Sequence, residues 1–147
     1  VIALIQRVDE AKVYIDDRIK GEIGKGLLVF LGIESGDDFK DADYLLDKVT
    51  HLRVFEDDQR KMNLSLKDIS GELLVVSQFT LLADCRKGRR PSFTRAEQPE
   101  RARQLYEHFL EKAKQCLGRI ASGEFQAMMK VHIINDGPVT ISINSRE

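Results

Sequence analysis

Apolar and polar positions change period several times along this chain, and each change marks an element. Val1 to Val8 reads as a strand, and Ala11 to Ile15 alternates through Val13 and Ile15 as a second. Asp16-Asp17 supplies a turn into a third, Arg18 to Ile23. Gly24-Lys25-Gly26 interrupts, and Leu27 to Leu31 is then unbroken apolar, as expected of a strand buried on both faces. From Asp38 the period becomes helical, with Ala42, Leu45, Leu46, Val49 and Leu52 on one face and acids in the first turn, where the helix dipole favours them. Leu73 to Val76 is another buried strand, leading directly into Ser77-Gln78-Phe79-Thr80-Leu81. The stripe Ala102, Leu105, Tyr106, Phe109, Leu110, Ala113, Cys116 and Leu117 predicts a second helix, with Pro99 at its first position and Gly118 past its end. Two strands, Phe125 to Ile134 and Val139 to Ile143, close the chain. This order argues for an α+β fold, mostly antiparallel, with both helices on one side of the sheet system.

Length and composition narrow the class. The 147 residues suit one domain, 1–147, with a core of its own. A charged fraction of 32% beside 42% hydrophobic is that of a globular protein. The net charge of −1 gives no global attraction to nucleic acid, so a basic partner surface must be local. Cys85 and Cys116 make no CxxC pair and are expected to be free thiols in a reducing cytosol. The opening Val1-Ile2-Ala3-Leu4-Ile5 is too short for a signal core or a membrane span, and no other run approaches membrane length. The reading is therefore cytoplasmic, with no membrane partner.

Familiar chemistries are thinly represented. His51, His108 and His132 stand at no metal-ligand spacing, so neither a metal nor a cofactor is expected, and all three read as packing or surface histidines. No GxSxG turn is present, and Gly21, Gly24 and Gly26 precede a strand, where a phosphate loop precedes a helix. One segment does stand out electrostatically. Arg86, Lys87, Arg89, Arg90 and Arg95 are interleaved with Gly88, Pro91 and Phe93, a candidate loop for a phosphate backbone in which Phe93 stacks or packs. It begins a few residues after Thr80, so a backbone held there presents its end to Gln78 and Thr80. The competing reading is a solvated turn.

Several motifs together resemble D-aminoacyl-tRNA deacylases, the editing hydrolases of D-aminoacyl-tRNA. They are Ile5-Gln6-Arg7-Val8, Gly26-Leu27-Leu28-Val29, Lys61-Met62-Asn63, Ser77-Gln78-Phe79-Thr80-Leu81, Lys87-Gly88-Arg89-Arg90-Pro91-Ser92-Phe93 and Asn135-Asp136-Gly137-Pro138-Val139-Thr140. The resemblance covers essentially the whole chain; Val1 stands where methionine is usual. It implies a layered β/β/α homodimer with active sites at the interface and D-aminoacyl-tRNA as substrate. It also implies that Gly137-Pro138 is a cis dipeptide entering the partner's pocket, held by Arg7, and rejecting L substituents. Ser77, Gln78, Phe79 and Thr80 would form the catalytic segment, with Gln78 positioning substrate. Arg86, Lys87, Arg89, Arg90, Phe93 and Asn135 would bind tRNA. Two mechanisms stay open: Thr80 as nucleophile, which needs an adjacent base, or attack by water assisted by the tRNA's terminal 2′-hydroxyl, with backbone N–H groups at Phe79 and Thr80 holding the oxyanion. The second is favoured. Non-catalytic rivals are a tRNA-binding dimer and a plain interaction module.

Overall fold

A computed structural model describes residues 1–147. The strands are β1 (Ile2–Ile15), β2 (Arg18–Ile23), β3 (Gly26–Gly32), β4 (Phe55–Glu56), β5 (Met62–Leu64), β6 (Glu72–Ser77), β7 (Ala121–Ser122) and β8 (Lys130–Asn144). The helices are α1 (Phe39–His51) and α2 (Pro99–Leu117), and a 3-10 turn spans Phe79–Leu82. The α+β expectation holds. Asp38 caps α1, accepting from the Lys40 and Asp41 amides while Asp41 reciprocates in a capping box. Pro99 opens α2 and Gly118 closes it at φ 81°, a conformation that costs glycine little.

Both expected strand pairs at the chain's ends are single long strands. β1 runs unbroken because β3 takes one edge of its first half, β2 that of its second, and β8 lines the opposite edge throughout. Strand β8 likewise carries on past Asn135–Val139, where the sequence reading placed a break, with only a bulge in its pairing to β1; it starts only at Lys130, leaving Phe125 outside it. The sheet order is β2-β1-β3-β6-β7, with β8 on β1. The β3–β6 and β6–β7 pairs are parallel, the others antiparallel. Gly26 is required at the β3–β6 pairing, since a Cβ there would overlap the Glu72 backbone. The short strands β4, β5 and β7 were not anticipated, having two or three residues each and no readable period.

Two apolar clusters explain why β3 and β6 are buried on both faces. Leu27, Val29, Leu31, Leu73 and Val75 join Ala3 and Ile5 against α1 and α2 residues, including Leu45, Val49, Leu105 and Phe109. Leu28, Leu74 and Val76 point the other way, to Val8, Ala11, Val13 and Ile23. Around that second cluster the sheet curls until Gly21 of β2 meets Ala121 and Ser122 of β7. The parallel pair is thus the shared wall between the two clusters, and its carboxyl end delivers the Ser77 segment to the surface.

Candidate active site

Strand β6 ends at Ser77 opposite Leu31, and the Gln78 amide makes a last bond to the Leu31 carbonyl at 2.8 Å. Beneath this end lies Tyr106, 3% exposed, whose hydroxyl donates to the Val75 carbonyl at 3.2 Å. Burial pushes the Tyr106 phenol up to about 12, so it remains a donor at neutral pH. The chain then turns sharply into the 3-10 segment, which holds Thr80 beyond the end of the strand. At the start of such a turn the Phe79 and Thr80 amides have no acceptor within it. Gln78 donates its Nε2 to the Thr80 hydroxyl oxygen. A carboxamide N–H is no base, and none of the three histidines is at hand: they pair with Asp47, Asp43 and Glu10 instead.

The basic loop joins this segment through aromatic packing. Phe79, 57% exposed, meets Phe93 edge-on with ring centroids 5.1 Å apart. Reciprocal backbone bonds between Asp84 and Ser92, 2.7 and 2.9 Å, close the loop and bring Phe93 back. Not all of its cations are equivalent. Arg86 forks onto Asp84 at 2.9 and 2.6 Å and holds that carboxyl down at about 2; Arg95 pairs with Glu34 at 3.1 Å. Lys87, Arg89 and Arg90 are exposed and carry no acidic partner. Asp84, unmarked in the sequence reading, is therefore what divides the loop into tied and free charges.

The Gly-Pro motif is built separately. Gln6 pairs with Thr140 and Val8 with Asn135, so Arg7 alone stands opposite Asp136, Gly137, Pro138 and Val139. The surplus must leave the sheet as a bulge. Arg7, 5% exposed, spans it: Nε lies 3.2 Å from the Asp136 carbonyl and 3.0 Å from its carboxylate, and a terminal nitrogen donates to the Val54 carbonyl at 2.7 Å. Asn135 Nδ2 closes the bulge's neck, donating to the Arg7 and Val139 carbonyls at 2.9 and 3.2 Å. Gly137 and Pro138 are exposed at the tip, and the bond between them is cis. Arg7, Asn135, Gly137 and Pro138 are thus one unit, and Ser77, Gln78, Phe79, Thr80 and Phe93 another.

The two units are far apart within one chain. Strands β3 and β8 occupy opposite edges of β1, and β6 lies beyond β3. Arg7 registers with Leu27, Leu27 with Leu73, and Ser77 is four residues further along β6. Strand geometry then separates Gly137 from Ser77 by about 13 Å along the strands and about 14 Å across three strand spacings.

Residues 4–144 match the family model described as D-Tyr-tRNA(Tyr) deacylase. The chain belongs to this deacylase family. It is 64% identical over 144 residues to the D-aminoacyl-tRNA deacylase of Syntrophus aciditrophicus, an alignment covering 98% of this chain and 97% of that one. Among solved structures, a protein described as c-Myc DNA unwinding element binding protein superposes with a TM-score of 0.92 at 40% identity, covering 98% of both chains. A eukaryotic protein described as a probable D-amino acid tRNA deacylase gives 0.86 at 17% identity, covering 97% of this chain and 98% of that one, a likeness of fold alone. No group of three or more His, Cys, Asp and Glu side chains is disposed to hold a metal, and no helix is long and apolar enough to cross a membrane.

Proposed function

We infer that this protein hydrolyses the ester of D-aminoacyl-tRNA, releasing the free D-amino acid and tRNA, and leaves L-aminoacyl-tRNA intact. What carries the activity is family membership from end to end in a chain that presents both motifs at its surface. It works as one domain over residues 1–147, in the cytoplasm where charged tRNA is found, and as a homodimer. Support for the dimer is the span from Gly137 to Ser77, about 19 Å by the strand geometry. That is too far for one bound ester, so the bulge of one protomer serves the pocket of the other. The β/β/α layering rests on the larger cluster, which unites one face of β3 and β6 with both helices.

In the reaction, Lys87, Arg89 and Arg90 hold the acceptor-end phosphates and Phe79 and Phe93 offer ring surface to its terminal nucleotide. Gln78 fixes the Thr80 hydroxyl, and the Phe79 and Thr80 amides stabilise the oxyanion as water adds to the carbonyl. The ribose oxygen then leaves with a proton, and the neighbouring 2′-hydroxyl assists the attack. Thr80 is not the nucleophile in this scheme because its only side-chain partner is a donor. Thr80→Ala removes the hydroxyl that Gln78 holds and is expected to lower single-turnover deacylation by about tenfold, the worth of one hydrogen bond; near-complete loss with tRNA affinity intact would restore the nucleophile.

The chiral filter is steric. Gly137 and Pro138, braced by Arg7 and Asn135, occupy the direction an L side chain would take, while a D side chain points elsewhere. Glycine has nothing to strike the wedge, so glycyl-tRNA, including glycine mischarged on tRNA-Ala, is hydrolysed too. The deciding assay follows ester loss from D-tyrosyl-, L-tyrosyl- and glycyl-tRNA. Loss of the D and glycyl esters alone is expected. Sparing of glycyl esters sinks the steric account, and salt-sensitive binding without any cleavage leaves a tRNA-binding dimer.

A further inference from the structure

The segment Lys61-Met62-Asn63 belongs to no part of the site described so far, yet it lies three hydrogen-bonded steps from the Gly-Pro bulge, through Arg53-Val54 and Arg7. Strands β4 and β5 form a two-stranded sheet of their own, joined to no other strand. Such a hairpin is marginal by itself, and here one side chain organises its turn. Asp57 accepts from the Gln59 amide at 2.8 Å, the Lys61 amide at 3.0 Å and the Asn63 side-chain amide at 3.2 Å. These donors, the Lys61 amide first, hold its carboxyl below the usual range. Arg53 reaches across to the Asn63 carbonyl at 2.9 Å. Phe55, 1% exposed, anchors the base in the main core.

Val54, immediately before this hairpin, presents the carbonyl that receives Arg7. Arg7 is nearly buried and divides its donors between that carbonyl and Asp136. Where Val54 sits therefore sets where the guanidinium sits, and so how far the bulge can move. We propose that the β4–β5 hairpin is the positioning device of the chirality filter, with Asp57 and Asn63 acting through Val54 and Arg7 on Gly137-Pro138. This rests on the wedge reading above. A bulge exposed at its tip gains little from packing, so its rigidity comes from what holds its base. Neither Asp57 nor Asn63 is within its own hydrogen-bonding network linked to the Ser77–Thr80 segment, which separates a filter effect from a catalytic one.

The test uses the full protein carrying Asp57→Ala, with Asn63→Ala as a milder variant and Glu56→Gln, exposed on the same hairpin and outside the network, as control. Amide hydrogen exchange is followed at the hairpin turn and across Asp136–Val139, alongside the D-over-L ratio of kcat/KM for tyrosyl-tRNA. Asp57→Ala is expected to speed exchange at both places and to lower the ratio about tenfold, with KM for the D ester unchanged. Asn63→Ala shifts both in the same direction by less, and Glu56→Gln shifts neither. General destabilisation would lower both esters' rates together and leave the ratio alone. Faster exchange in the turn with none across Asp136–Val139 overturns the proposal. A wild-type protein with no D-over-L preference removes the wedge reading instead, and the exchange data still decide whether hairpin and bulge are mechanically linked.

Discussion

Gly137→Ala is expected to cut D-aminoacyl-tRNA hydrolysis about a hundredfold while leaving the protein folded. The reason is local. A Cβ at this position would approach the Asn135 side-chain oxygen to 3.2 Å, tight enough that the bulge or the Asn135 amide must yield. That amide is the one closing the bulge's neck onto Arg7 and Val139, so the added methyl displaces the tip and its brace together. Fold stability should change little, because Gly137 is exposed and outside both apolar clusters. A displacement of about 1 Å at a positioning element is worth about two decades in rate. Single-turnover deacylation of D-tyrosyl-tRNA, with thermal unfolding run in parallel, checks both halves. Wild-type rates for Gly137→Ala would mean the bulge does not meet the substrate.

The second large effect concerns RNA affinity. Replacing Lys87, Arg89 and Arg90 together by alanine is expected to weaken tRNA binding about fiftyfold near 0.15 M salt, and to reduce the slope of log K against log salt by about two. Each of the three neutralises one phosphate, and for single-stranded RNA about 0.7 of a counterion is released per contact. Arg86→Ala should do far less, since its guanidinium is already committed to Asp84. Binding isotherms at several salt concentrations distinguish the cases. Equal losses for Arg86→Ala and for each free cation would mean that the Asp84 fork opens when RNA arrives.

Much of this architecture is legible in the sequence. Helix α2 follows from its stripe, Pro99 and Gly118, because a helix of that length reports its own period and caps. The double burial of β3 and β6 follows from their unbroken apolar runs. Arg7 was tied to the Gly-Pro segment by family resemblance alone; its contacts with Asp136 are a matter of tertiary structure. The strands β4, β5 and β7 were invisible because two or three residues carry no period. The amide of Asn135 closes the neck of the bulge, which the sequence reading did not anticipate. Its role depends on backbone carbonyls that sequence separation does not reveal.

What the sequence determined by itself is local and chemical: element types, the surfaces they must bury, and the groups available for an activated ester and its phosphates. Hydrophobic period and residue chemistry act over a few positions, so a single chain displays them. Tertiary structure alone decided that β1 and β8 run unbroken, that Arg7 faces four residues at once, and that Asp84 withdraws Arg86 from the basic loop. It also set the two motifs apart at opposite reaches of one sheet. Those outcomes depend on register and strand order. Both are fixed by long-range pairing energies that no short window of sequence contains.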